Sequence, residues 1–534
     1  MKRDVAALSS REFDLVIVGA GVYGAAIAWD AVLRGLSVAL IDRNDFGSET
    51  SFNSLKTVHG GIRYLQSADL KRIRESVRER RTLLAIAPHL VHPLPFLVPT
   101  YRGSFRRSRS MMRAALALND LISWDRNEAL GDPDKHLPPG RSVSRDECLA
   151  LFPGLEPSGL TGGILWYDAQ MYNSDRLTLS FVLSAANEGA VVANHVEATG
   201  FLMKGERIQG VTARDRLSDS SGLEIRARLV VNAAGPWVDR VIAKTERSRA
   251  PMFRFSKAVN LVTRPVVKSL ALGITSRRNG KFLCLVPWRG VSLVGTSHGP
   301  HTGDPDGLEA SELDVRDLID DVNDAYPTAE LRREDVRLIH RGLLPMAGSS
   351  RNGSVRLLKS YRIDVHLERL ISVVGVKYTT ARDVAAKTVD RGLALLGRPF
   401  VESRSGLVPL WGGDMPAFTD LVRSMTAPGD EETRRHLALT YGTRFRDVLA
   451  AGGLNQVCVE CPVLACEIRH AVREEMACDL ASVVLRRTEL GTAGHPGRAC
   501  LERVADIVAE ELSWDEERRA SEIAAVERFY KLRS

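Results

Sequence analysis

The chain has 534 residues, the length of roughly three to four average domains. Apolar residues make up 44% and charged residues 26%, an ordinary globular composition that excludes a disordered or collagen-like chain. Lys and Arg outnumber Asp and Glu by 73 to 66, and the net charge of +7 suits anionic partners. We therefore expect a folded protein of several domains.

Hydropathy and cysteine usage bear on the compartment. The longest nearly uncharged apolar run, residues 15–29, is interrupted by glycines and is shorter than the roughly 20 residues that cross a bilayer. No secretory signal pattern follows the first residue. Seven cysteines are an odd and sparse number, which does not predict a disulfide framework. We expect a cytoplasmic protein.

The first predicted elements form a strand, helix and strand unit. Residues 13–19 are a short apolar run with β-branched side chains, and residues 22–34 are Ala-rich and end before Gly35. Residues 37–41 are a second apolar run that ends at Asp42. This order predicts the start of a parallel sheet.

A charged helix and several loops come next. Residues 69–86 carry apolar positions at helical spacing among many charges, which predicts a solvent-facing helix that stops before Pro88. Proline-rich pieces at 93–99 and 138–140, and the glycine-rich and aromatic segment 159–168, are interpreted as loops.

Later strands predict a discontinuous nucleotide-binding domain. Residues 223–235 are a strand that ends on a glycine turn, and residues 282–287 and 291–295 are two paired strands. Residues 370–374 form another strand, which leads into a helix at 379–396. This second strand-to-helix junction lies far from the first along the chain, so we expect the domain to be built from separated pieces.

The C-terminal part has a helical character. Helices are predicted at 430–439, 462–485 and 500–512. We therefore divide the chain into an oxidoreductase region, 1–395, and a helical C-terminal domain, 396–534. The boundary rests on the glycines and prolines between them.

A dinucleotide fingerprint occupies the first turn. Gly19-Ala20-Gly21-Val22-Tyr23-Gly24 is a G-x-G-x-x-G that follows a strand and opens a helix, and Asp42 ends the next strand. The glycines allow a tight turn and close approach of the backbone, and the helix N-terminus stabilises pyrophosphate. Asp42 can accept hydrogen bonds from ribose hydroxyls. The fingerprint alone does not separate FAD from NAD.

A longer segment resembles one family. Residues 50–65, TSFNSLKTVHGGIRYL, are similar to the signature that follows the fingerprint in FAD-dependent glycerol-3-phosphate dehydrogenases. Further similarity lies in residues 87–90 (APHL), 231–238 (VNAAGPWV), 286–288 (VPW), 375–382 (GVKYTTAR) and 486–488 (RRT). The resemblance spans almost the whole chain.

The resemblance implies the fold and the cofactor. The fold is α/β: a Rossmann-like FAD-binding domain, an antiparallel-sheet substrate domain with cap segments near 70–150 and 245–345, and a helical C-terminal domain. The implied chemistry is hydride transfer from a secondary alcohol carbon to FAD. The residues expected to hold FAD are Gly19, Gly21, Gly24, Asp42, Thr50, Ser51, Ser54, Lys56, His59, Gly60, Gly61, Ala234, Gly235, Trp237, Gly375, Lys377, Tyr378 and Thr379.

The resemblance also implies substrate residues. Arg63 and Tyr64 fall where the family contacts substrate, and Lys377 falls on the lysine of the family's G-G-K-x-T-T motif. Lys56 and His59 are interpreted as flavin-side or loop-ordering residues. No metal is expected.

Two departures from the family concern the proton acceptor. Asn260 stands where the family carries a histidine proposed as the base, and an amide cannot accept the proton as a base. His298 stands where the family carries an acid. We therefore predict that His298 takes over as the catalytic base, with Asn260 at the substrate.

A third departure concerns the phosphate. Leu344 replaces an arginine of the family, which removes a charge-assisted contact, and Arg341 is a candidate replacement from a nearby position. Glycerol 3-phosphate is the leading substrate, with dihydroxyacetone phosphate as the product. The alternatives are another polyol, polyol phosphate or amine, or a flavin-binding paralogue without dehydrogenase activity.

The remaining sequence patterns indicate which partners the protein binds. Five arginines between 102 and 113 precede or enter an amphipathic stretch, 111–124, which suits an anionic membrane surface and a quinone acceptor. We expect peripheral attachment to the inner face of the membrane, a homodimer, and no nucleic acid. Cys458 and Cys461 form a C-x-x-C, but the spacing to the other cysteines is irregular, so we expect free thiols there.

Overall fold

A computed structural model of the chain describes residues 1–102, 109–218, 220–245, 251–349, 355–427, 429–459 and 461–531. The side chains at 63, 66, 67, 109, 110, 220 and 221 lie outside that description. The strands are β1 (Phe13–Val18), β2 (Val38–Ile41), β3 (Thr57–Val58), β4 (Val91–Tyr101), β5 (Arg141–Val143), β6 (Leu160–Met171), β7 (Val191–Ala193), β8 (Val196–Lys204), β9 (Arg207–Asp215), β10 (Ser220–Asn232), β11 (Arg254–Thr263), β12 (Ala271–Thr275), β13 (Phe282–Trp288), β14 (Val291–His301), β15 (Val336–Ser349), β16 (Val355–Leu357), β17 (Arg362–Leu367) and β18 (Leu370–Val374).

The helices alternate with the strands at first and then follow one another. They are α1 (Val22–Leu33), α2 (Leu70–Ile86), α3 (Arg109–Ile122), α4 (Arg145–Leu151), α5 (Ser174–Asn187), α6 (Val238–Ala243), α7 (Glu312–Ala325), α8 (Ala381–Leu396), α9 (Phe418–Ser424), α10 (Glu431–Tyr441), α11 (Phe445–Leu449), α12 (Ala465–Glu474), α13 (Leu480–Ser482), α14 (Arg498–Leu512) and α15 (Glu516–Tyr530).

A largely parallel sheet carries the glycine fingerprint. Its order is β17-β18-β10-β1-β2-β7, and β1 pairs in parallel with β10 on one side and β2 on the other. Every residue of β1 is buried, as expected for a central strand covered on both faces. α1 packs against α5 and α8 on one face. The predicted strand, helix and strand unit is confirmed.

The discontinuous assembly is also present. Val231 of β10 lies in register with Ile17 of β1 on one side and with Ile371 of β18 on the other. The three strands come from distant parts of the chain, and all three end at the same edge of the sheet. Since the carboxyl ends of parallel strands are where open α/β sheets bind ligands, the turns after β1, β10 and β18 are brought together there.

A second sheet is mainly antiparallel, with the order β16-β15-β11-β14-β13-β12-β4-β6-β3. The expectation of loops at 93–99 and 159–168 is wrong, because β4 and β6 pair along their lengths there. Pro93, Pro95 and Pro99 sit at alternate residues, so their missing N–H groups share the strand edge away from β6. β12 pairs with that edge only around Phe96 and Leu97.

The middle of this sheet holds two predicted site residues, Asn260 and His298, on neighbouring strands. β11 lies between β14 and β15. Asn260 is in register with Gly295 and His340, and Ala258 is in register with His298 and Gly342. The strand pair predicted at 282–295 is confirmed as β13 and β14.

The C-terminal helices pack against the antiparallel sheet and share one apolar core with it. The single helix predicted at 462–485 is wrong: it is interrupted between α12 and α13, where Met476 has φ +55° and Asp479 caps the next turn. The segment Val483–Arg487 that follows is a π-helical turn. The expectation of free thiols is wrong for Cys458, which is disulfide-bonded to Cys500.

One further expectation needs correction. α2 is not simply solvent-facing, because Ile73, Val77, Leu83 and Leu84 are buried against its neighbours. The division into 1–395 and 396–534 stays a prediction. α8 ends at Leu396, next to that boundary.

Candidate functional site

The turn after β1 presents backbone amides at the N-terminus of α1. Gly19 has φ +102°, and a Cβ added there would lie 2.7 Å from the carbonyl oxygen of Ala233. A Cβ added at Gly24 would lie 1.8 Å from the carbonyl oxygen of Gly19, so the fold itself requires both glycines. At Gly21 an added Cβ meets only Ser51 Oγ, at 3.3 Å. Gly21 is therefore required by what occupies the cavity in front of it.

Two side chains from the following loop fix this turn. Asp42 Oδ2 accepts a hydrogen bond from the Ala20 N–H at 2.6 Å, and Oδ1 accepts one from the Asn44 N–H at 2.9 Å. Burial raises the pKa of Asp42 to about 6. Ser51 Oγ accepts a hydrogen bond from the Val22 N–H at 3.0 Å. The loop after β2 thus holds the glycine turn from the side.

One cavity runs from this turn to the segment after β18. The predicted site residues that line it are Gly19, Gly21, Asp42, Thr50, Ser51, Ser54, Lys56, His59, Ala234, Gly235, Trp237, Asn260, Gly375, Lys377, Tyr378 and Thr379. The predicted residues that do not line it are Gly24, Gly60, Gly61, Tyr64, His298 and Arg341. The side chain of Arg63 lies outside the described residues.

Gly60 and Gly61 act on the shape of the signature loop. The Gly60 N–H donates to Asp168 Oδ1 at 2.6 Å, and Arg80 Nη1 donates to the same oxygen at 2.7 Å. A Cβ added at Gly60 would lie 2.4 Å from Arg80 Nη1. Gly61 has φ +84°, which favours glycine.

Lys56 and Tyr378 both end on the first turn of α5. Lys56 is fully buried and donates to the Phe52 carbonyl and to Ser174 Oγ, and burial lowers its pKa to about 8. Tyr378 Oη donates to the Ser174 carbonyl at 2.9 Å and lies 2.8 Å from Thr178 Oγ1. α5 therefore ties the signature loop to the segment after β18.

The fingerprint also contacts that segment directly. Tyr23 Oη donates to the Lys377 carbonyl at 2.6 Å, and burial raises the pKa of Tyr23 to about 12. A Cβ added at Gly375 would lie 1.7 Å from the Tyr23 ring. The His59 N–H donates to Thr379 Oγ1 at 3.3 Å. Fingerprint, signature and the 375–379 segment thus meet around one space.

A cationic and aromatic cluster stands at this end of the cavity. Lys377 Nζ lies 4.1 Å from the ring centroid of Tyr64, and Arg72 Cζ lies 4.3 Å from the same centroid. The His59 ring meets the Tyr64 ring edge to face, with centroids 6.0 Å apart. Burial and Arg72 lower the pKa of Lys377 to about 8. Arginine, lysine, tyrosine and histidine side chains are therefore neighbours here.

Asn260 and His298, the two departures from the family on the antiparallel sheet, have different surroundings. Asn260 Oδ1 accepts a hydrogen bond from Thr296 Oγ1 at 2.7 Å, so its amide N–H groups are the part left to donate to a cavity occupant. His298 Nδ1 lies 3.4 Å from Ser256 Oγ, and His298 does not line the cavity.

The third departure, at Leu344, lies in one wall of the cavity. Leu344 lines the cavity, as do Phe255, Ala258, Leu343 and Pro345, and this wall is apolar. Arg341 Nε instead donates to the Leu308 carbonyl at 3.2 Å, and Arg341 lines a separate polar cavity. Arg341 does not replace the missing arginine.

Sequence reasoning missed Arg80, Asp168 and Thr296, and it gave His59 a role on the flavin side. His59, interpreted as flavin-side, is the one histidine among the described residues that line the cavity. Asp168 and Arg80 form a buried ion pair behind the signature loop, and Thr296 orients Asn260. Asp168, which follows Trp166 and Tyr167, was the signal that could have predicted this ion pair, because a carboxylate in an apolar strand needs a partner.

The residues present suit FAD. The amides at the start of α1 form an anion site, and at Gly21 the space that a side chain would fill is left open. The cavity continues from the end of β2 to the 375–379 segment, so one elongated dinucleotide can reach both. Among the described residues, no three His, Cys, Asp or Glu side chains are grouped to hold a metal ion. No described helix is long and apolar enough to span a bilayer.

Comparisons with known proteins agree with this site. The family described as FAD dependent oxidoreductase matches residues 14–375, and the C-terminal domain of alpha-glycerophosphate oxidase matches residues 403–519. The chain is 33% identical to the glycerol-3-phosphate dehydrogenase of Mycobacterium leprae, over 96% of this chain and 87% of that protein. It is 31% identical to the enzyme of that name from Synechocystis, over 96% of both chains.

A solved structure supports the same assignment. The glycerol-3-phosphate dehydrogenase of Bacillus halodurans, complexed with FAD, superimposes with a TM-score of 0.78 and 25% identity, over 99% of this chain and 96% of that one. The α/β FAD-binding fold and the FAD cofactor expected from the sequence are confirmed. The protein is an FAD-dependent oxidoreductase, and it belongs to the FAD-dependent glycerol-3-phosphate dehydrogenase family.

Proposed function

We propose that this enzyme oxidises a small secondary alcohol, with glycerol 3-phosphate as the leading substrate and dihydroxyacetone phosphate as its product. The observation that carries the proposal is the meeting of the fingerprint, the signature loop and Lys377 around one cavity. When bound, FAD supplies the acceptor for the hydride that leaves the carbinol carbon. The protein must orient that carbon and accept the hydroxyl proton.

Four side chains share this work. His59 faces the cavity next to Tyr64, and we assign it the hydroxyl proton because imidazole is the side chain with a suitable ordinary pKa near neutrality. Asn260 donates its amide N–H to the substrate oxygen. Lys377 and Tyr64 form the cationic and aromatic side on which an anionic substrate rests. His298, expected from the sequence, remains a proposal to be tested against His59.

A second substrate class is favoured by the apolar wall. Leu344 and Phe255 offer no hydrogen bond to a phosphate, and a desolvated phosphate needs charged partners. A different polyol, polyol phosphate or amine with an uncharged group on that side suits the wall better. A paralogue without dehydrogenase activity is the remaining alternative.

One experiment separates these proposals. The purified protein is mixed anaerobically with polyols, their phosphates and amino alcohols, and bleaching of the flavin absorbance is followed. Bleaching by glycerol 3-phosphate alone supports the leading substrate, and bleaching by another member supports the second class. No bleaching by any member contradicts dehydrogenase activity.

The variant Leu344→Arg is the matched test of the wall. If the site binds a weakly held phosphate, the new guanidinium lowers the Michaelis constant for glycerol 3-phosphate. If the site binds an uncharged group, the variant loses activity toward the substrate that bleaches the wild type.

We further propose a quinone acceptor reached from an anionic membrane surface. α3 exposes Leu121, which is 70% accessible, and Trp124 just after it is 73% accessible. α3 contacts the turn that carries Tyr64, so this helix lies near the substrate end of the molecule. Of the expected basic residues, Arg106 and Arg107 lie outside the described residues, as does the side chain of Arg109. An amphipathic helix with apolar and basic sides suits a membrane interface.

Binding to vesicles tests this surface. Cosedimentation with anionic vesicles is expected at low salt, with loss of binding in the double variant Leu121→Ser, Trp124→Ser. Equal sedimentation of variant and wild type contradicts the assignment of α3. The proposed homodimer is tested separately by light scattering of the wild type.

A further inference from the structure

The loop after β2 has two sides. Asp42 and Ser51 turn toward the glycine fingerprint, where both accept backbone hydrogen bonds and line the cavity. Asp45 lies between them and does not line that cavity. Its neighbour Phe46 is buried in the core behind the loop. Asp45 therefore lies in the same loop as both cavity-lining residues.

Asp45 is held by the C-terminal helices. Its carboxylate is fully buried and accepts hydrogen bonds from Nη1 and Nη2 of Arg487, each at 2.7 Å. Arg486 Nε donates to the same carboxylate, and Asn194 Nδ2 donates to it at 2.9 Å. The two guanidinium groups hold the pKa of Asp45 well below its usual range. A bidentate ion pair of this kind fixes the orientation of the two side chains as well as the distance between them.

Arg487 is itself fixed on its other side. It is 1% exposed, and its Nε donates to the Glu475 carbonyl at 3.0 Å. The partner carboxylate is 442 residues away in the sequence. Arg487 lines neither the flavin cavity nor the neighbouring polar one, so it acts on any occupant only through Asp45.

We propose that Arg487 is a positioning residue for the cofactor: through Asp45 it holds the loop that carries Asp42 and Ser51 in the shape that receives FAD. The inference rests on the cofactor assignment. It makes the C-terminal helices a part of the FAD site, although they contribute no described residue to the lining of the flavin cavity.

The test measures FAD affinity on folded protein. FAD is removed, and its dissociation constant is determined from flavin fluorescence quenching for the wild type, Arg487→Met, Arg487→Lys and Asp45→Asn. Leu501→Ala is the matched control, because Leu501 is fully buried in the apolar core that the C-terminal helices share with the sheet. Thermal unfolding of each apoprotein is recorded alongside.

A positioning role and a merely structural role give different results. We expect Arg487→Met and Asp45→Asn to raise the FAD dissociation constant about 10- to 100-fold, as removal of an orienting partner does for bound metals, with Arg487→Lys in between. Leu501→Ala should lower the unfolding temperature and leave the dissociation constant within about twofold of wild type.

Other outcomes are equally clear. An unchanged dissociation constant in folded Arg487→Met and Asp45→Asn overturns the proposal. If Arg487→Met does not fold, Arg487→Lys and Asp45→Asn decide the matter by the same criterion. A wild type that binds no FAD contradicts the cofactor assignment instead.

Discussion

The phenol of Tyr23 and the backbone of Lys377 are joined by two hydrogen bonds. Tyr23 Oη donates to the Lys377 carbonyl at 2.6 Å and accepts from the Lys377 N–H at 3.3 Å, across 354 residues of chain. One residue of the dinucleotide fingerprint thus fixes the backbone of the lysine at the opposite end of the cavity.

Removing this hydroxyl should affect both stability and cofactor binding. We expect Tyr23→Phe to lower the free energy of unfolding by about 1–3 kcal/mol, since the Lys377 carbonyl loses a buried partner, and to weaken FAD binding. Tyr326→Phe is the control, because this buried phenol makes no hydrogen bond to the described residues. Denaturant unfolding of both variants is the measurement. An equal loss of unfolding free energy in the two variants would show that the hydrogen bonds between Tyr23 and Lys377 add no stability.

The fingerprint glycines should separate folding from binding. Gly21→Val is expected to fold and to lose FAD, because an added Cβ there meets only Ser51 Oγ within 4 Å and Gly21 lines the cavity. Gly24→Val is expected to fail to fold, because its Cβ would overlap the Gly19 carbonyl. Circular dichroism measures folding, and the visible flavin spectrum measures FAD binding. A yellow Gly21→Val protein would contradict the assigned pyrophosphate position.

The proton acceptor is tested by three parallel variants. We expect His59→Gln to lower the rate of flavin reduction by roughly 10²-fold or more, the usual effect of losing a general base. Asn260→Ala should lower it less, and His298→Gln least, because His298 lies outside the cavity lining. Rates are measured by anaerobic stopped flow. A large loss only in His298→Gln would restore the sequence-based assignment.

Lys377 should give the site a pH dependence. Lys377 is half-buried beside Arg72 and has a pKa of about 8, although Glu75 and Asp69 raise that pKa. The side chain therefore loses its charge as the pH rises from 7 to 9. The Michaelis constant for an anionic substrate should therefore rise by about tenfold over that range. Lys377→Arg, which stays charged, should remove the dependence. A wild-type constant that does not change with pH would exclude Lys377 as the anion anchor.

The sequence by itself determined the cofactor end of this protein. Residues 13–42 contain the strand, turn, helix and strand locally, and the glycines that this turn requires are adjacent in the chain. Local periodicity and backbone restrictions are properties of neighbouring residues, so they are readable without a fold. The resemblance of residues 50–65 and 375–382 to one family was also readable from the sequence alone.

Tertiary structure alone decided the substrate end. β4 was concealed by its prolines, because proline cannot donate to a sheet and only the structure shows that β6 pairs along this segment. Likewise, His298 and Arg341 are plausible by sequence position. Arg341 is in register with Val259, so side-chain alternation puts it on the sheet face opposite Asn260, where its Nε donates to the Leu308 carbonyl. His298 is in register with Ala258, and its Nδ1 lies 3.4 Å from Ser256 Oγ. The Asp45–Arg487 pair joins residues 442 apart, and a contact over that distance is fixed by packing rather than by local sequence.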